Sequence, residues 1–311
     1  MTKILITGGA GFIGSQVADA YIKLGHEVVI VDNLSTGKIE NVNSKAKFYE
    51  ADITDEKAIK RIFETEKPEI VNHHAAQKDV RFSVIHPLED ARINILGSIN
   101  IISNAVAIGT KKIIYANSGG AMYGNVPKDL LPIKENQEIH PTNPYGADKA
   151  IVEFYLEMYH RENGIDFVSL RYSNVYGPRQ EGGEAGVIPI FIKKILKNES
   201  PIIFGDGNKT RDFVYINEVV RANVLALKNI KEKTFNIGSG KEISVLDIYN
   251  LIAEELNFNK KPIFEAEKPG EVDFVSLSNE KAKIHLGWSP EYNLAEGLKE
   301  TINWVKNQDK K

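Results

Sequence analysis

The chain has 311 residues, 42% of them hydrophobic and 26% charged, with a formal net charge of -3. That is room for one large α/β domain or two smaller ones with real cores, and it offers no basic surface for nucleic acid. There are no cysteines, which excludes disulfides, thiolate metal sites and cysteine nucleophiles, and no apolar run reaches the roughly 18 residues of a membrane helix. The opening MTKILITGG enters a strand at once without a basic-then-apolar leader, so a cytoplasmic enzyme is the expectation.

In chain order, KILITG is a short apolar run ending in glycine, the pattern of a buried parallel strand. A helix follows through Lys23. EVVIVD and KFYEAD are the second and third strands, AIKRIFETE is helical, and PEIVNHHAA is a fourth strand and its mouth. A long helix is predicted over Ala91–Ile108, then KKIIYANS as the fifth strand, a helix from Asn143, and DFVSLRYSN as the sixth strand. This alternation predicts a Rossmann-type, doubly wound parallel sheet with helices on both faces. After Tyr176 the rhythm breaks into the glycine-rich GPRQEGGEAG and shorter elements. The expected division is 1–172 as the first domain, with a returning segment near 211–238, and 173–311 as mainly a smaller C-terminal α/β lobe. RDFVYINEVVRANVLAL reads as the strand and helix that return.

The first chemical signal is TGGAGFIG, which puts Gly8, Gly11 and Gly14 directly after a strand and at a helix start. Glycines there allow a tight turn and let a pyrophosphate approach backbone amides, in the favourable field of the helix N-terminus. Asp32 ends the second strand 18 residues beyond Gly14, where a carboxylate accepts hydrogen bonds from ribose hydroxyls. It would repel a 2'-phosphate, and the following NLSTG has no arginine, with Lys38 the one nearby cation. NAD is therefore expected over NADP. Asp52, at the end of the third strand, either holds the adenine amino group or caps the next helix.

The second signal is NPYGADKAIVEFY, where Tyr145 and Lys149 lie one turn apart on the same helix face. Alone, this is an ordinary amphipathic helix start. Next to a dinucleotide loop it is half of an acid–base set. A phenol with an unperturbed pKa near ~10 is a poor base at neutral pH. A nearby ammonium and a positive nicotinamide ring would both favour the phenolate. Ser118 sits at the C-terminal end of the fifth strand, where open α/β sheets bind ligands. The doublet His73–His74 gives no metal site, because neighbours on a strand point to opposite faces.

Gly-x-x-Gly-x-x-Gly with a later Tyr-x-x-x-Lys resembles the short-chain dehydrogenase/reductase superfamily. The glycine spacing, the length, HHAAQKDVRFSVIHP, RYSNVYGPRQ, RDFVYINEVV and the LGW near the C-terminus resemble its extended, sugar-nucleotide-modifying branch. Within that branch the likeness is nearest to the UDP-glucose (UDP-galactose) 4-epimerases. The resemblance implies NAD held by Gly8, Gly11, Phe12, Ile13 and Gly14, by Asp32, Asn33, Asp52 and Ile53, and by Ala75, Lys78, Asn94, Tyr145 and Lys149. It implies Ser118, Tyr145 and Lys149 as the catalytic set. Counted from the strand, the family's Ser/Thr is Ser118; counted back from Tyr123-Gly124 it is Gly119, and the strand register is preferred because glycine has no side chain to offer.

For the substrate, a UDP-sugar, the resemblance implies Asn174 and Arg211 on the diphosphate. Val187 and Phe191 would lie over the uridine, unless they pack in the core. Lys268 stands where many relatives carry arginine, which keeps the charge and loses the bidentate fork. Val275 stands where some relatives have a bulky tyrosine, so an N-acetylated sugar should also fit. The 4,6-dehydratases of the branch have an Asp-Glu pair where this chain has Gly119 and Gly120, which disfavours dehydration. The remaining alternatives are an epimerase of UDP-GlcNAc, UDP-glucuronate or a dTDP-sugar, a nucleotide-sugar reductase, and a non-catalytic NAD-binding regulator. A homodimer through the long helix and the Tyr145 helix is also implied.

Overall fold

A computed structural model describes residues 1–180, 186–267 and 272–308. Its centre is a seven-stranded, all-parallel sheet. Six strands are β1 (Lys3–Thr7), β2 (Glu27–Asp32), β3 (Lys47–Glu50), β4 (Ile70–His73), β5 (Lys112–Ser118) and β6 (Asp166–Tyr172); the seventh is Thr234–Ile237. Their spatial order is Thr234–Ile237, β6, β5, β4, β1, β2, β3. The inner strands are near-continuous apolar runs because helices cover both faces: Ile4, Leu5, Ile6, Val29, Ile30 and Val31 are wholly buried. The chain runs one way from β1 through β3 and the other way from β4 through β6. A crevice therefore opens at the carboxyl ends of β1 and β4, the ligand position for such sheets.

The helices that frame it are α1 (Phe12–Lys23), α2 (Glu56–Glu66), α3 (Val80–Ile85), α4 (Pro87–Ala91), α5 (Ser98–Ala107), the single turn α6 (Gly119–Met122) and α7 (Pro144–Asn163). Further along come α8 (Val187–Leu196), α9 (Ile216–Ala226), α10 (Val245–Glu255) and α11 (Leu294–Gln308). Residues of α2, α5 and α7 pack on one sheet face around Phe63, Ile101 and Leu156. The other face carries α1 and α9, and a large core continues from it into α8, α10 and α11. None of the helices among the described residues is long and apolar enough to cross a membrane.

Three elements differ from the sequence expectation. The long helix starts at Pro87, not Ala91, and passes through a π turn, Arg92–Gly97, before α5. Proline suits the first helical position because its fixed φ is helical and its missing N–H has no partner to lose. The second difference is at α2, which begins at Glu56 and is capped by Asp55, whose side chain accepts from the Ala58 amide. Asp52 is thus not the helix cap. Third, Phe213–Tyr215 does not join the main sheet; it pairs with Asn174–Tyr176 in a separate parallel pair. The strand that returns is Thr234–Ile237, bonded to β6, and α9 is stitched back by Tyr21 Oη donating to the Asn223 carbonyl at 3.1 Å.

Candidate active site

The turn after β1 is shaped by what its glycines lack. Gly8 has φ +69°, and a Cβ there would lie 2.7 Å from the Ala75 nitrogen. A Cβ on Gly14 would lie 2.3 Å from the Gly8 carbonyl oxygen. The Gly11 amide closes the turn on the Gly8 carbonyl at 3.1 Å, and Gly11 begins α1 without a side-chain cap. The first amides of α1, including those of Phe12, Ile13 and Gly14, thus open on the turn with the positive end of the helix behind them. This cradle fits a dinucleotide pyrophosphate.

Asp32 is 7% exposed at the end of β2; its two oxygens accept from the Ala10 amide at 3.0 Å and the Leu34 amide at 2.9 Å. It therefore holds the glycine turn as well as standing at its mouth. Asn33 donates to Asp52 at 2.7 Å, and Asp52 also accepts from the Thr54 amide and hydroxyl. Burial raises the Asp52 pKa, but these hydrogen bonds outweigh it and hold the carboxyl below its ordinary value. Ile53 is buried against the π turn, and Ala75 donates its amide to Thr7 Oγ1 at 3.2 Å.

Asn94 is buried inside the π turn, where it clamps the segment after β4. Its Oδ1 accepts from the Gln77 amide at 2.9 Å and its Nδ2 donates to the Gln77 carbonyl at 3.0 Å. Lys78, the next residue, is exposed. The histidines part as their strand position requires. His73 bonds Thr7 at 2.6 Å and Ser98 at 2.9 Å, whereas His74 stacks on Tyr172. Burial first, then the charge of Lys149, pushes both down to about 3, so they are neutral imidazoles.

Ser118, Tyr145 and Lys149 converge at the end of β5. Asn143 caps α7 by accepting from the Gly146 amide at 2.9 Å, and Pro144 takes the first helical position. Tyr145 and Lys149 then share the face turned to β5. Ser118 stands beside the Tyr145 phenol, where its side chain acts to lower the phenol pKa. A Cβ on Gly119 would instead strike Leu277 at 2.6 Å. Lys149 Nζ donates to the Ala116 carbonyl at 2.9 Å and lies 4.8 Å from the Tyr115 ring centroid. With protein groups alone, burial pushes the Tyr145 phenol up to about 12 against the hydrogen bond from Ser118. Burial also draws Lys149 down to about 8, although Asp90 and Asp148 oppose this. The lowered phenol of the sequence expectation therefore requires the added positive charge of a bound nicotinamide ring.

A buried polar network behind this set was not visible in the sequence. Glu153, two turns beyond Tyr145 on α7, forms an ion pair with Arg171 of β6 and accepts from Asn117 at 2.8 Å and Ser169 at 2.6 Å. It locks α7 to β5 and β6 directly under Ser118. Asp90 and Asp148 also meet beside Lys149. Nothing in the spacing of residues 90, 117, 148, 153 and 171 announces these contacts; only the order of the strands brings them together.

The expected sugar-side residues are more scattered. Asn174 is exposed, with its Oδ1 3.7 Å from where a Cβ on Gly120 would stand. Arg211 lies on the short strand Thr210–Arg211 and donates to the Thr210 carbonyl at 2.8 Å. Its neighbour Asp212, wholly buried, collects the Ser239 amide and hydroxyl, the Gly240 amide and the Leu277 amide at 2.7–3.0 Å. This node ties the Arg211 strand to the Gly238 loop and to the segment of Val275. Val275 is buried in one cluster with Met122, Tyr123 and Val126. Val187 opens α8 at half-burial. Phe191 is buried in the large core, edge-on to Tyr249. Lys268 lies outside the described residues.

Comparisons with known proteins agree with this geometry. Residues 4–238 match the model of the NAD dependent epimerase/dehydratase family. The chain is 49% identical over 308 residues to a putative UDP-glucose 4-epimerase of Methanocaldococcus jannaschii, covering 99% of both chains. Its fold is similar to that of the UDP-glucose 4-epimerase of Thermotoga maritima crystallised with UDP-glucose, with TM-score 0.97, 45% identity, and 98% and 99% of the two chains covered. It is also similar to the Thermus thermophilus UDP-glucose 4-epimerase in complex with NAD, with TM-score 0.93, 36% identity, and 98% and 99% covered. By its glycine turn, its Ser–Tyr–Lys convergence and these full-length likenesses, the chain belongs to the NAD dependent epimerase/dehydratase family.

Proposed function

We propose that this protein is an NAD-dependent 4-epimerase that interconverts UDP-glucose and UDP-galactose through a 4-keto sugar. The carrying observation is the convergence of Ser118, Tyr145 and Lys149 at the carboxyl end of β5, at the switch point beside the glycine turn. NAD would be held by the α1 amides after Gly11, by Asp32 at the ribose, and by Asn33, Asp52, Ile53 and Ala75, with Lys78 toward the nicotinamide and Asn94 orienting the loop that carries it. When bound, it supplies the acceptor and then the donor of the C4 hydride.

Tyr145 takes the proton of the sugar 4-hydroxyl as C4 is oxidised, and returns it when C4 is reduced. Ser118 bridges the sugar oxygen and the phenol, since a hydroxyl both donates and accepts. Lys149 stabilises the phenolate by charge. Between the two halves the 4-keto sugar turns its other face. Asn174 and Arg211, with Lys268, hold the diphosphate while it turns, and Val187 covers the uridine. In this reading 1–172 and the segment near 211–238 form the cofactor domain, and the rest of 173–311 forms the nucleotide-sugar lobe. Gly119 and Gly120 leave no acid–base pair for water elimination. Valine rather than a larger side chain at 275 favours acceptance of UDP-GlcNAc as well.

The reading includes a cytoplasmic homodimer. Leu88, Ile85 and Phe154 are 88%, 69% and 57% exposed, and with Val84, Leu96 and Met158 they form an apolar surface along α3, α4, the π turn and α7. Single exposed apolar residues need no explanation, but several of them on helices that pack on one another suit an interface. Sedimentation at the mass of one chain would refute the dimer.

The test of function is incubation of the purified protein with UDP-galactose, without and then with added NAD, followed by NMR. UDP-glucose is expected to form with no net reduction of cofactor. No product under either condition, with turnover of UDP-glucuronate or a dTDP-sugar instead, would transfer the activity to that substrate. UDP-GlcNAc untouched beside good rates on UDP-glucose would remove the N-acetyl prediction.

A further inference from the structure

Two acidic side chains that the reaction does not use meet beside Lys149. Asp90 ends α4 and is wholly buried, and Asp148 on α7 is 5% exposed. α4 packs on α7, and the two carboxyl groups interact across that contact. Asp90 Oδ1 accepts from the Gln77 side-chain amide and from Asn94 Nδ2, the latter at 3.2 Å. Asp90 Oδ2 and Asp148 Oδ2 are both buried, and neither has a hydrogen-bond donor.

Two ionised carboxylates cannot stably face each other in that setting. Each orphaned oxygen carries the full penalty of an unsatisfied buried acceptor, and the like charges repel. One proton between the two oxygens satisfies both at once. With Asp90 Oδ1 engaged by the Gln77 and Asn94 donors, Asp148 is the member that holds the proton. The pair then carries a single negative charge, matched by buried Lys149.

We propose that Asp90 and Asp148 share one proton, and that this pair is a positioning device that joins the Gln77–Lys78 segment to the helix bearing Tyr145 and Lys149. Asp90 is the point where three elements meet: the segment after β4 through Gln77, the π turn through Asn94, and α7 through Asp148. The charged and titratable groups facing the pair are Tyr145 and Lys149 from α7 and Tyr115 from β5. From β4, His73 and His74 face Lys149 and are held neutral. Asp79, which caps α3, is engaged by the Arg81 and Phe82 amides, and the Arg81 and Lys78 side chains are exposed. Burial and then the facing Asp90 carboxylate push the Asp148 carboxyl up to about 7. Loss of the shared proton places a second negative charge beside Lys149 and Tyr145. That charge opposes the phenolate, and the pair comes apart by repulsion.

The direct test does not depend on turnover. Infrared difference spectra of the holoenzyme between about pH 5 and pH 8 should show a protonated carboxyl band that is lost near neutrality. The band should be missing in both D148N and D90N, each of which replaces the shared proton by an amide donor. Asp212 and Glu218 are also buried with raised pKa, and the difference between wild type and variants removes their contribution. The effect on positioning rests on the function proposed above and is read from kcat for UDP-galactose. D148N should keep kcat within about threefold at pH 6 and flatten the step near pH 7, while D148A should lose about tenfold or more at both.

A role in packing alone would lower the stability of D148A without any change in the pH profile of D148N, and that result would overturn the proposal. So would a wild-type spectrum with no titrating band that D148N removes. A band that behaves as expected, in a protein that turns over no UDP-sugar, would uphold the shared proton and refute the epimerase reading instead.

Discussion

The two walls of the crevice are built in different ways. The wall from β1, β2 and β4 is made of backbone: Gly8 against Ala75, Gly14 against the Gly8 carbonyl, and the uncapped start of α1. The opposite wall is made of side chains from separate segments, Asn174, Arg211, Asp212 and Val275, held together by one buried carboxylate. A backbone wall tolerates few residue types at a few fixed spacings. A side-chain wall can be assembled from many sequences and altered one residue at a time. The first suits a cofactor common to a family, and the second suits a substrate that varies within it.

The largest effect should come where the walls meet. Tyr145→Phe removes the phenol but keeps the ring and α7, and turnover of UDP-galactose should fall roughly a thousandfold or more. NAD binding and thermal stability should stay close to wild type. Turnover within a factor of ten or so of wild type would remove Tyr145 as the proposed base.

Gly14→Ala tests the backbone wall. The added methyl must displace the Gly8 carbonyl, 2.3 Å away, and cannot be relieved by rotating a side chain. A loss of about 3 kcal/mol in stability is expected, together with most of the NAD affinity. An unperturbed melting temperature and full NAD content would show that the turn is more compliant than its contacts indicate.

The same contrast explains what the sequence disclosed. The glycine turn, Asp32 and the Tyr145–Lys149 helix were legible because their contacts are local: residues a few positions apart at a strand–helix junction. The parallel sheet with helices on both faces followed from alternation and crossover hand. Asn94 was legible only by resemblance, since its clamp on Gln77 depends on a π turn that no spacing rule marks. Asp212, Glu153 and Asp90 were not legible at all. Each looks like a surface carboxylate in sequence and becomes buried because partners arrive from other segments, such as Gln77 on Asp90, Arg171 on Glu153 and Leu277 on Asp212, 13, 18 and 65 positions away. Phe191 was ambiguous because an apolar residue at the start of a helix reads the same over a ligand or in a core.

Asp212→Ala should break the side-chain wall selectively. It leaves the Ser239, Gly240 and Leu277 amides without their acceptor, at about 1–3 kcal/mol for each group kept from water. KM for UDP-galactose should rise by about tenfold or more while NAD affinity holds. Equal losses on both ligands would mean that the two walls are not independent.

The smallest and most specific effect is expected from Arg211→Lys. The guanidinium donates through Nη1 to the Thr210 carbonyl at 2.8 Å, and it carries five N–H donors in a planar fork. A diphosphate presents paired oxygens, which a guanidinium fork meets with two parallel hydrogen bonds and an ammonium meets as a point charge. Lysine keeps the long-range attraction and loses the fork. KM should therefore rise by about three- to tenfold, with kcat nearly unchanged, because the diphosphate is bound equally in ground and transition states. The difference should persist at high salt, since screening weakens the charge common to both residues and not the geometry that separates them. A fall in kcat at constant KM would instead place Arg211 in the reacting geometry, and the distinction between a fixed cofactor wall and an adjustable substrate wall would fail at the residue chosen to represent it.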